Sequence, residues 1–468
     1  MHQRKVADPE SQRESTQEQP KRRVRRRRKP RKRSSSYLPF PKLALLAMIL
    51  FSLLWIRLLW KIGTSNGDSD NNTSLFKLES EDAPTCQNLD SIDSIDTTLV
   101  TQLSDDRLWM MKHHCERYGP HPISIAVYTN STRDEIQNQL MEMGCRIEGD
   151  TSLSAISLQT ALVSLEVLDA QAHGSWNNYP VNQLRNLALK AVKTSHITYI
   201  DVDFWPSENL HDNLLAPPIK EALLEDPKLA LVIPAFQLKR SSDCQDETLD
   251  CREEHVPKMP KTSRQLKRMI KNREAEIFDP TNVGGHGSTD YKHWLIHQQD
   301  PVFNVEDLLY QIPCLKSHRY EPFVTIRYCR ELTPPFQQAF SGYGKNKMTW
   351  MMQVVASGFS FSQVGGAYLI HYPHAISHSR QDWNKAPKEL ITSNKKNYSV
   401  RRPKASDGNL GFEKYHRGKV DDLYIRFKEW LQEAIPPGEA RIELCENAQD
   451  DDSKLWIDPE RKNWKTHN

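Results

Sequence analysis

At 468 residues, with 38% hydrophobic and 9% aromatic side chains, the chain can bury a substantial core and is not wholly disordered, although its mean hydropathy is −0.68. Length alone suggests two or three domains of about 150 residues each. The net charge of +3 is unevenly placed: residues 1–42 hold 15 Lys/Arg and 4 Asp/Glu, so the remainder is net acidic, which excludes a folded part that binds nucleic acid through an overall basic surface.

The basic tail contains KRRVRRRRKPRKR at residues 21–33. Alone it reads as a nucleic-acid or nuclear-localisation patch. It is followed by Leu43–Trp60, eighteen residues broken only by Arg57, close to the ~20 needed to cross hydrocarbon. Basic residues before the run and few after it place the N-terminus in the cytosol, and no small-residue cleavage pattern follows. The expectation is a cytosolic tail (1–42), an uncleaved signal anchor (43–60) and a lumenal remainder. All eight cysteines and four N-x-[ST] sequons (Asn71, Asn72, Asn130, Asn397) lie on the lumenal side. Cys244 and Cys251 are the pair most easily closed as a local disulfide. The tail is assigned to topology or to anionic lipid heads, not to nucleic acid.

Residues 61–96 read as a stem, Ser/Asn/Asp/Glu-rich and flexible over 62–85. A strand is expected at Thr98–Leu103, a helix at Asp105–Tyr118, a strand at Ile123–Tyr128 and a helix at Thr132–Met143. This alternation predicts an α/β layered domain with parallel strands. An amphipathic helix is expected at Tyr179–Ser195, then a short strand at Ile197–Ile200 that ends in Asp201-Val202-Asp203. Further strands are expected at Leu229–Phe236 and Ala367–Ile370, with residues 240–278 at the surface. The domain is expected over 97–436, followed by an irregular extension, 437–468.

Ligands of open α/β sheets bind beyond the carboxyl ends of strands. Two carboxylates one residue apart there can hold a hard divalent cation, Mn2+ or Mg2+, and through it a diphosphate. Asp201 and Asp203 are therefore candidate metal ligands, with Asp201 also on the donor side. His371, directly after the AYLI strand, is the candidate third ligand and His374 its rival. Asn182 and Arg185, near the start of the helix before the D-x-D strand, are candidate donor-binding residues, Arg185 for its planar fork.

The blocks TLVTQLSDDRLWMMKHHCERYGPHPISIAVY, NYPVNQLRNLA, YIDVDFWPS, LVIPAF, PTNVGGHG, YEPFVTIRY, FSGYGKNK and AYLIHYPHAIS follow in this order from Thr98 to Ser377. Together they resemble glycosyltransferase family 49, in particular the second, glucuronic-acid-transferring domain of the LARGE-type enzymes. The resemblance implies a GT-A fold, Mn2+, UDP-glucuronic acid as donor, inversion at the anomeric carbon, and a xylose-type glycan or glycoprotein acceptor. It implies a Golgi membrane enzyme of type II, and a homodimer is compatible with it. Lys347, in GYGKNK, joins the candidate donor-binding residues, with Lys345 beside it. Inverting transfer needs a carboxylate to take the acceptor's hydroxyl proton. Glu321, in YEPFVTIRY, is the candidate, with Glu306 and Asp307 as weaker alternatives.

The sequence also departs from the family. No xylosyl-transferring domain precedes this one, so one transferase activity is expected. MTWMMQVV after Lys347 lacks the acidic residue usual in that helix. The 240–256 loop has no counterpart. The competing readings are the same fold with UDP-xylose, UDP-galactose or UDP-N-acetylglucosamine, and a catalytically silent glycan-binding protein.

Overall fold

The computed structural model describes residues 75–149, 159–172, 179–297, 305–377, 410–436, 438–446 and 448. The expected tail (1–42) and anchor (43–60) lie outside them, as do Asn71, Asn72 and Asn397. No helix among the described residues is long and apolar enough to cross a membrane.

Strand β1 (Thr97–Ser104) runs through a 3-10 turn, Asp105–Met110, into the helix Met111–Tyr118. Strand β2 (Pro122–Thr129) and the helix Arg133–Glu142 follow. These four elements fall where the sequence places them. The second helix is started by its own side chains: Thr132 accepts from the Glu135 N–H, and the Glu135 carboxylate accepts from the Thr132 N–H. Strands β3 (Arg146–Ile147), β4 (Leu162–Asp169) and β5 (His196–Tyr199) complete a parallel run in the order β5-β1-β2-β4-β3. Parallel strands need crossovers, and the helix Val181–Lys190 supplies the one that enters β5.

The rest of the nine-stranded sheet is mixed. Strand β11 (Phe323–Arg327) enters antiparallel between β5 and β7 (Leu229–Ile233). Beyond β7 lie β12 (Ser360–Val364), parallel to it, and β10 (Leu309–Gln311) at the edge. Strands β6 (Phe204–Pro206), β8 (Ala235–Leu238), β9 (Ala275–Ile277) and β13 (Leu369–His371) form a second sheet, β6-β13-β8-β9. Successive strand residues point to opposite faces. Leu99, Ile125 and Leu231 enter one core; Val100, Ala126 and Val232 enter the other. Both faces are covered, which is why β7 reads as an unbroken apolar run, while β1 buries Thr97, Thr98, Thr101 and Gln102 among its apolar residues.

Several elements differ from the sequence-based expectation. The chain passes from the nine-stranded sheet into the smaller one three times: through Ile200–Asp203, at Pro234 between β7 and β8, and between β12 and β13. The single strand expected at Leu229–Phe236 is thus two strands, because Pro234 has no N–H to continue the first ladder. The helix expected at Tyr179–Ser195 ends at Lys190. Thr194 and Ser195 donate through their hydroxyls to the backbone carbonyls of His196 and Asp96, which competes with helix. The charged 240–278 stretch is not all surface: Leu266, Met269 and Ala275 are buried, because the helix Ser263–Lys271 turns its charges outward. The late strand is shifted from Ala367–Ile370 to Leu369–His371.

All eight cysteines are paired: Cys86–Cys329, Cys115–Cys145, Cys244–Cys251 and Cys314–Cys445. The described end of the expected flexible stem is docked. Phe76 is buried against Phe340, Phe427 and Trp430, and Cys86 is tied to Cys329. Past residue 437, Leu444 bridges Leu315 and Arg441 donates to Asp226 at 2.9 Å. Phe427, wholly buried, is central to the cluster that seats the helix Leu410–Ala434. Phe427→Ala is expected to remove about 3–5 kcal/mol of that packing. Hydrogen exchange should then quicken over the helix and leave β1, β2 and β5 protected.

Candidate active site

The site forms where the chain crosses between the sheets. Strand β5 ends at Tyr199, and β6 begins at Phe204. The turn between them carries Asp201 and Asp203, with the Phe204 N–H donating to the Asp201 carbonyl at 2.9 Å. Strand β13 pairs with β6 so that His371 lies opposite Phe204, and the Tyr372 N–H donates to the Asp203 carbonyl at 2.8 Å. Register alone therefore brings His371 beside Asp203. Strand β11 is antiparallel to β5 and β7, so its entry lies at the edge where those strands end, and Glu321 stands there. A cleft of about 1060 Å³ is lined by these residues together with Arg107, Arg185, Lys347 and His374.

Asp203 Oδ2 is the point of convergence. Arg107 Nη1 lies 2.8 Å from it, His374 Nε2 2.9 Å and His371 Nε2 4.0 Å. Burial would raise the Asp203 pKa; the His374 hydrogen bond and the charges of His374, Arg107 and His371 outweigh it and hold the carboxyl well below its usual range. Burial pushes His371 down to about 4, so at neutral pH its ring is neutral and offers a lone pair. One carboxylate and two imidazoles with donor atoms within 4.8 Å of one another fit a divalent cation of the Mn2+ type. The rival His374 is nearer to Asp203 than His371 is, and both belong to the cluster.

Asp201 is set apart from that cluster. Its Oδ1 accepts from the Tyr199 hydroxyl at 2.6 Å and from Arg185 Nη2 at 3.0 Å, and Lys347 Nζ lies 3.6 Å from its Oδ2. Burial raises its pKa, but the Lys347 and Arg185 charges prevail and hold it below the ordinary value. Arg185 and Asn182 do not sit on a solvated helix face: they are 4% and 1% exposed. Arg185 also donates to the Tyr199 hydroxyl and to Asn182 and Asn346, and it lies over the Tyr199 and Phe336 rings. Asn182 Nδ2 donates to the Gln337 carbonyl at 2.8 Å, so both ends of its amide are engaged behind Arg185 rather than in the cleft.

Lys347 is buried, with its ammonium over the Phe323 ring. Lys345 is bound elsewhere, 2.6 Å from Asp421 and over the Tyr424 ring. Gly342, Gly344 and Lys345 all have positive φ, and this turn brings the N-terminus of the helix Asn346–Ala356 to the cleft. Burial raises the Glu321 pKa, the Lys347 charge opposes this, and Asp201 adds to it. The Glu321 backbone N–H donates to Gly285 at 2.8 Å. Asp307 pairs with His293 and His297, and neither it nor Glu306 lines the cleft. Arg107 escapes a reading of the sequence, because helical spacing assigns it only to a helix face. The signal that finds it is the β1–β5 register, which carries the end of β1 past Tyr199 toward the D-x-D turn.

The profile of the family described as "Glycosyl-transferase for dystroglycan" matches residues 148–401, more than half of the chain. The chain belongs to glycosyltransferase family 49. It is a glycosyltransferase, and its domain is mixed α/β. Among its relatives, the xylosyl- and glucuronyltransferase LARGE2 of Mus musculus is 31% identical over 60% of this chain and 35% of its own length. The glycosyltransferase-like protein gnt14 of Dictyostelium discoideum is 29% identical over 62% of this chain and 39% of its own length. The chain thus spans little more than a third of the curated relatives it matches. A crystal structure of GalNAc-T7 with UDP, GalNAc and Mn2+ aligns with 59% of this chain and 44% of that one, at 12% identity and a TM-score of 0.30.

Proposed function

We propose that this family member transfers glucuronic acid from UDP-glucuronic acid, with inversion, to a sugar hydroxyl of a glycan or glycoprotein, with a xylose-type acceptor as first choice. The observation that carries the reading is the Asp203–His371–His374 cluster in one cleft with Lys347, Arg107 and the Asn346–Ala356 helix N-terminus. A divalent cation held by Asp203, His371 and His374 would supply the charge that stabilises a departing diphosphate. The helix N-terminus and the positive-φ turn before it offer backbone N–H groups to phosphate oxygens. Arg185 holds Asp201 in place. Glu321 makes no hydrogen bond or ion pair through its carboxylate with a described residue and stands on the cleft wall as the base. Four disulfides suit an oxidising compartment, and the apolar run at 43–60 suits a Golgi signal anchor.

A desolvated glucuronate carboxylate needs a fixed cation. Lys345 is bound to Asp421 and Arg185 is spent on Asp201, Tyr199, Asn182 and Asn346. Lys347, whose ammonium lines the cleft and lies 3.6 Å from its nearest carboxylate oxygen, is the first choice, and Arg107, 2.8 Å from Asp203, the second. With the purified full-length chain and Mn2+, UDP-glucuronic acid should be hydrolysed or transferred in preference to UDP-glucose. Lys347→Met should narrow that preference by about 1–3 kcal/mol, the range for a charged hydrogen bond. Equal use of UDP-glucose overturns the donor. The second reading is UDP-xylose, favoured by the LARGE-type relatives, whose names join xylosyl and glucuronyl transfer in proteins longer than this one. A preference for UDP-xylose in the same screen would select it.

A further inference from the structure

The 240–256 loop has no role in the site described so far, yet it is bonded to the segment that carries His374. Strand β8 pairs with β13 so that Gln237 lies opposite His371. Three residues further along both strands, Arg240 comes beside His374. Its guanidinium donates through Nη1 to the carbonyls of Pro373 and His374 at 3.0 and 3.1 Å. On its other side Nε donates to the Cys244 carbonyl at 2.9 Å, and Nη2 to the carbonyls of Asp246 and Leu249 at 2.8 and 2.6 Å. Nη2 also lies 3.0 Å from Cys244 Sγ. The guanidinium is thus spent on backbone carbonyls of two segments.

Two further bonds join the same segments. The Tyr372 hydroxyl donates to Asp250 Oδ1 at 2.7 Å, and the Ile376 N–H donates to the Glu247 carbonyl at 2.9 Å. The loop is closed by Cys244–Cys251, which limits how far its carbonyls can stray. His371 is fixed by strand pairing on both sides. His374 lies past the end of β13 and has no such support, yet its Nε2 is the imidazole nitrogen nearest Asp203.

We propose that Arg240 and the disulfide-closed loop 244–251 position His374 for divalent-cation binding; this rests on the metal reading given above. Arg240 is a positioning residue, because it acts through the backbone of residues 373–374 and not on the cation. Lysine cannot replace it: an ammonium has three donors and no planar fork, and it cannot reach both segments in the same geometry.

The test measures Mn2+ affinity of the full-length chain directly, from the electron paramagnetic resonance signal of free Mn2+. Arg240→Lys is expected to raise the Mn2+ dissociation constant by about 10–100-fold, the usual effect of losing an outer-sphere support. Turnover should largely return at saturating Mn2+. Tyr372→Phe, which deletes a single hydroxyl, should shift affinity in the same direction by less, and it decides the matter if Arg240→Lys fails to fold. Because Arg240 acts through His374, Arg240→Lys combined with His374→Ala should bind Mn2+ no more weakly than His374→Ala alone. Additive losses, or unchanged affinity in folded Arg240→Lys, overturn the inference. If Asp203→Ala also leaves Mn2+ affinity unchanged, the metal reading falls and this inference falls with it. If Asp203→Ala weakens binding and Arg240→Lys does not, only this inference falls.

Discussion

Asp203→Ala is expected to lower transfer by about 10²–10³ or more in a protein that remains folded. The carboxylate is the one group that faces Arg107, His371 and His374 together. Without it, the two imidazoles have no anionic partner with which to hold a cation, and the leaving diphosphate loses its charge compensation. The fold should survive, because Asp203 lies on the cleft wall and not in either core. Arg107 keeps 18% of its side chain exposed, so water can solvate the freed guanidinium. The measurement is turnover at saturating Mn2+ alongside thermal unfolding. Near wild-type turnover would remove Asp203 from the mechanism. Asp201→Ala should behave differently. Its carboxylate restrains Arg185 and Lys347 and lies outside the three-residue cluster, so the loss should fall on donor KM more than on the Mn2+ requirement.

That division between the two aspartates was only half legible in the sequence. The position of Asp201-Val202-Asp203 after an apolar strand marks the turn as a ligand site, and His371 is marked by the strand before it. Spacing along the chain cannot say which carboxylate faces which partner. That is decided by β6 pairing with β13, a contact between residues about 170 positions apart. Arg107 is hidden for the same reason: its partner is 96 residues away. Arg185 and Asn182 are legible as candidate donor-binding residues, but their burial is not, because a sequence read alone cannot see β1, β2 and the Gln337 segment closing over them. Among the strands, β1, β2 and β5 are visible from composition, since both faces are buried. The break at Pro234 shows how a continuous apolar run can serve two sheets, with proline alone as the local sign. The 244–251 loop reads as solvated because Asp246 and Glu247 are exposed, while Asp250 accepts from Tyr372 and the loop's backbone carbonyls converge on Arg240.

Glu321→Gln is expected to reduce transfer by about 10²–10⁴, the usual worth of a placed general base, while Mn2+ and UDP binding stay close to wild type. As the acceptor oxygen bonds to the anomeric carbon and the bond to the diphosphate breaks, the hydroxyl proton must pass to a carboxylate on the acceptor side. Glu321 precedes Pro322, which biases its backbone toward an extended conformation, and its N–H is fixed to Gly285. The side chain is thereby held at the sheet edge where β5 and β7 end. Burial raises its pKa against the opposing charge of Lys347, which makes the carboxylate a stronger base than an exposed glutamate. The acid limb of kcat/KM should therefore lie above the ordinary glutamate range. Glutamine preserves shape and removes only the ability to accept the proton as an anion, so loss of turnover with unchanged UDP affinity identifies the base. A variant that keeps more than a tenth of wild-type turnover would return the role to another carboxylate of the cleft. Asp279, on the same wall with a positive φ, is then the next group to replace, because Glu306 and Asp307 stand outside the cleft.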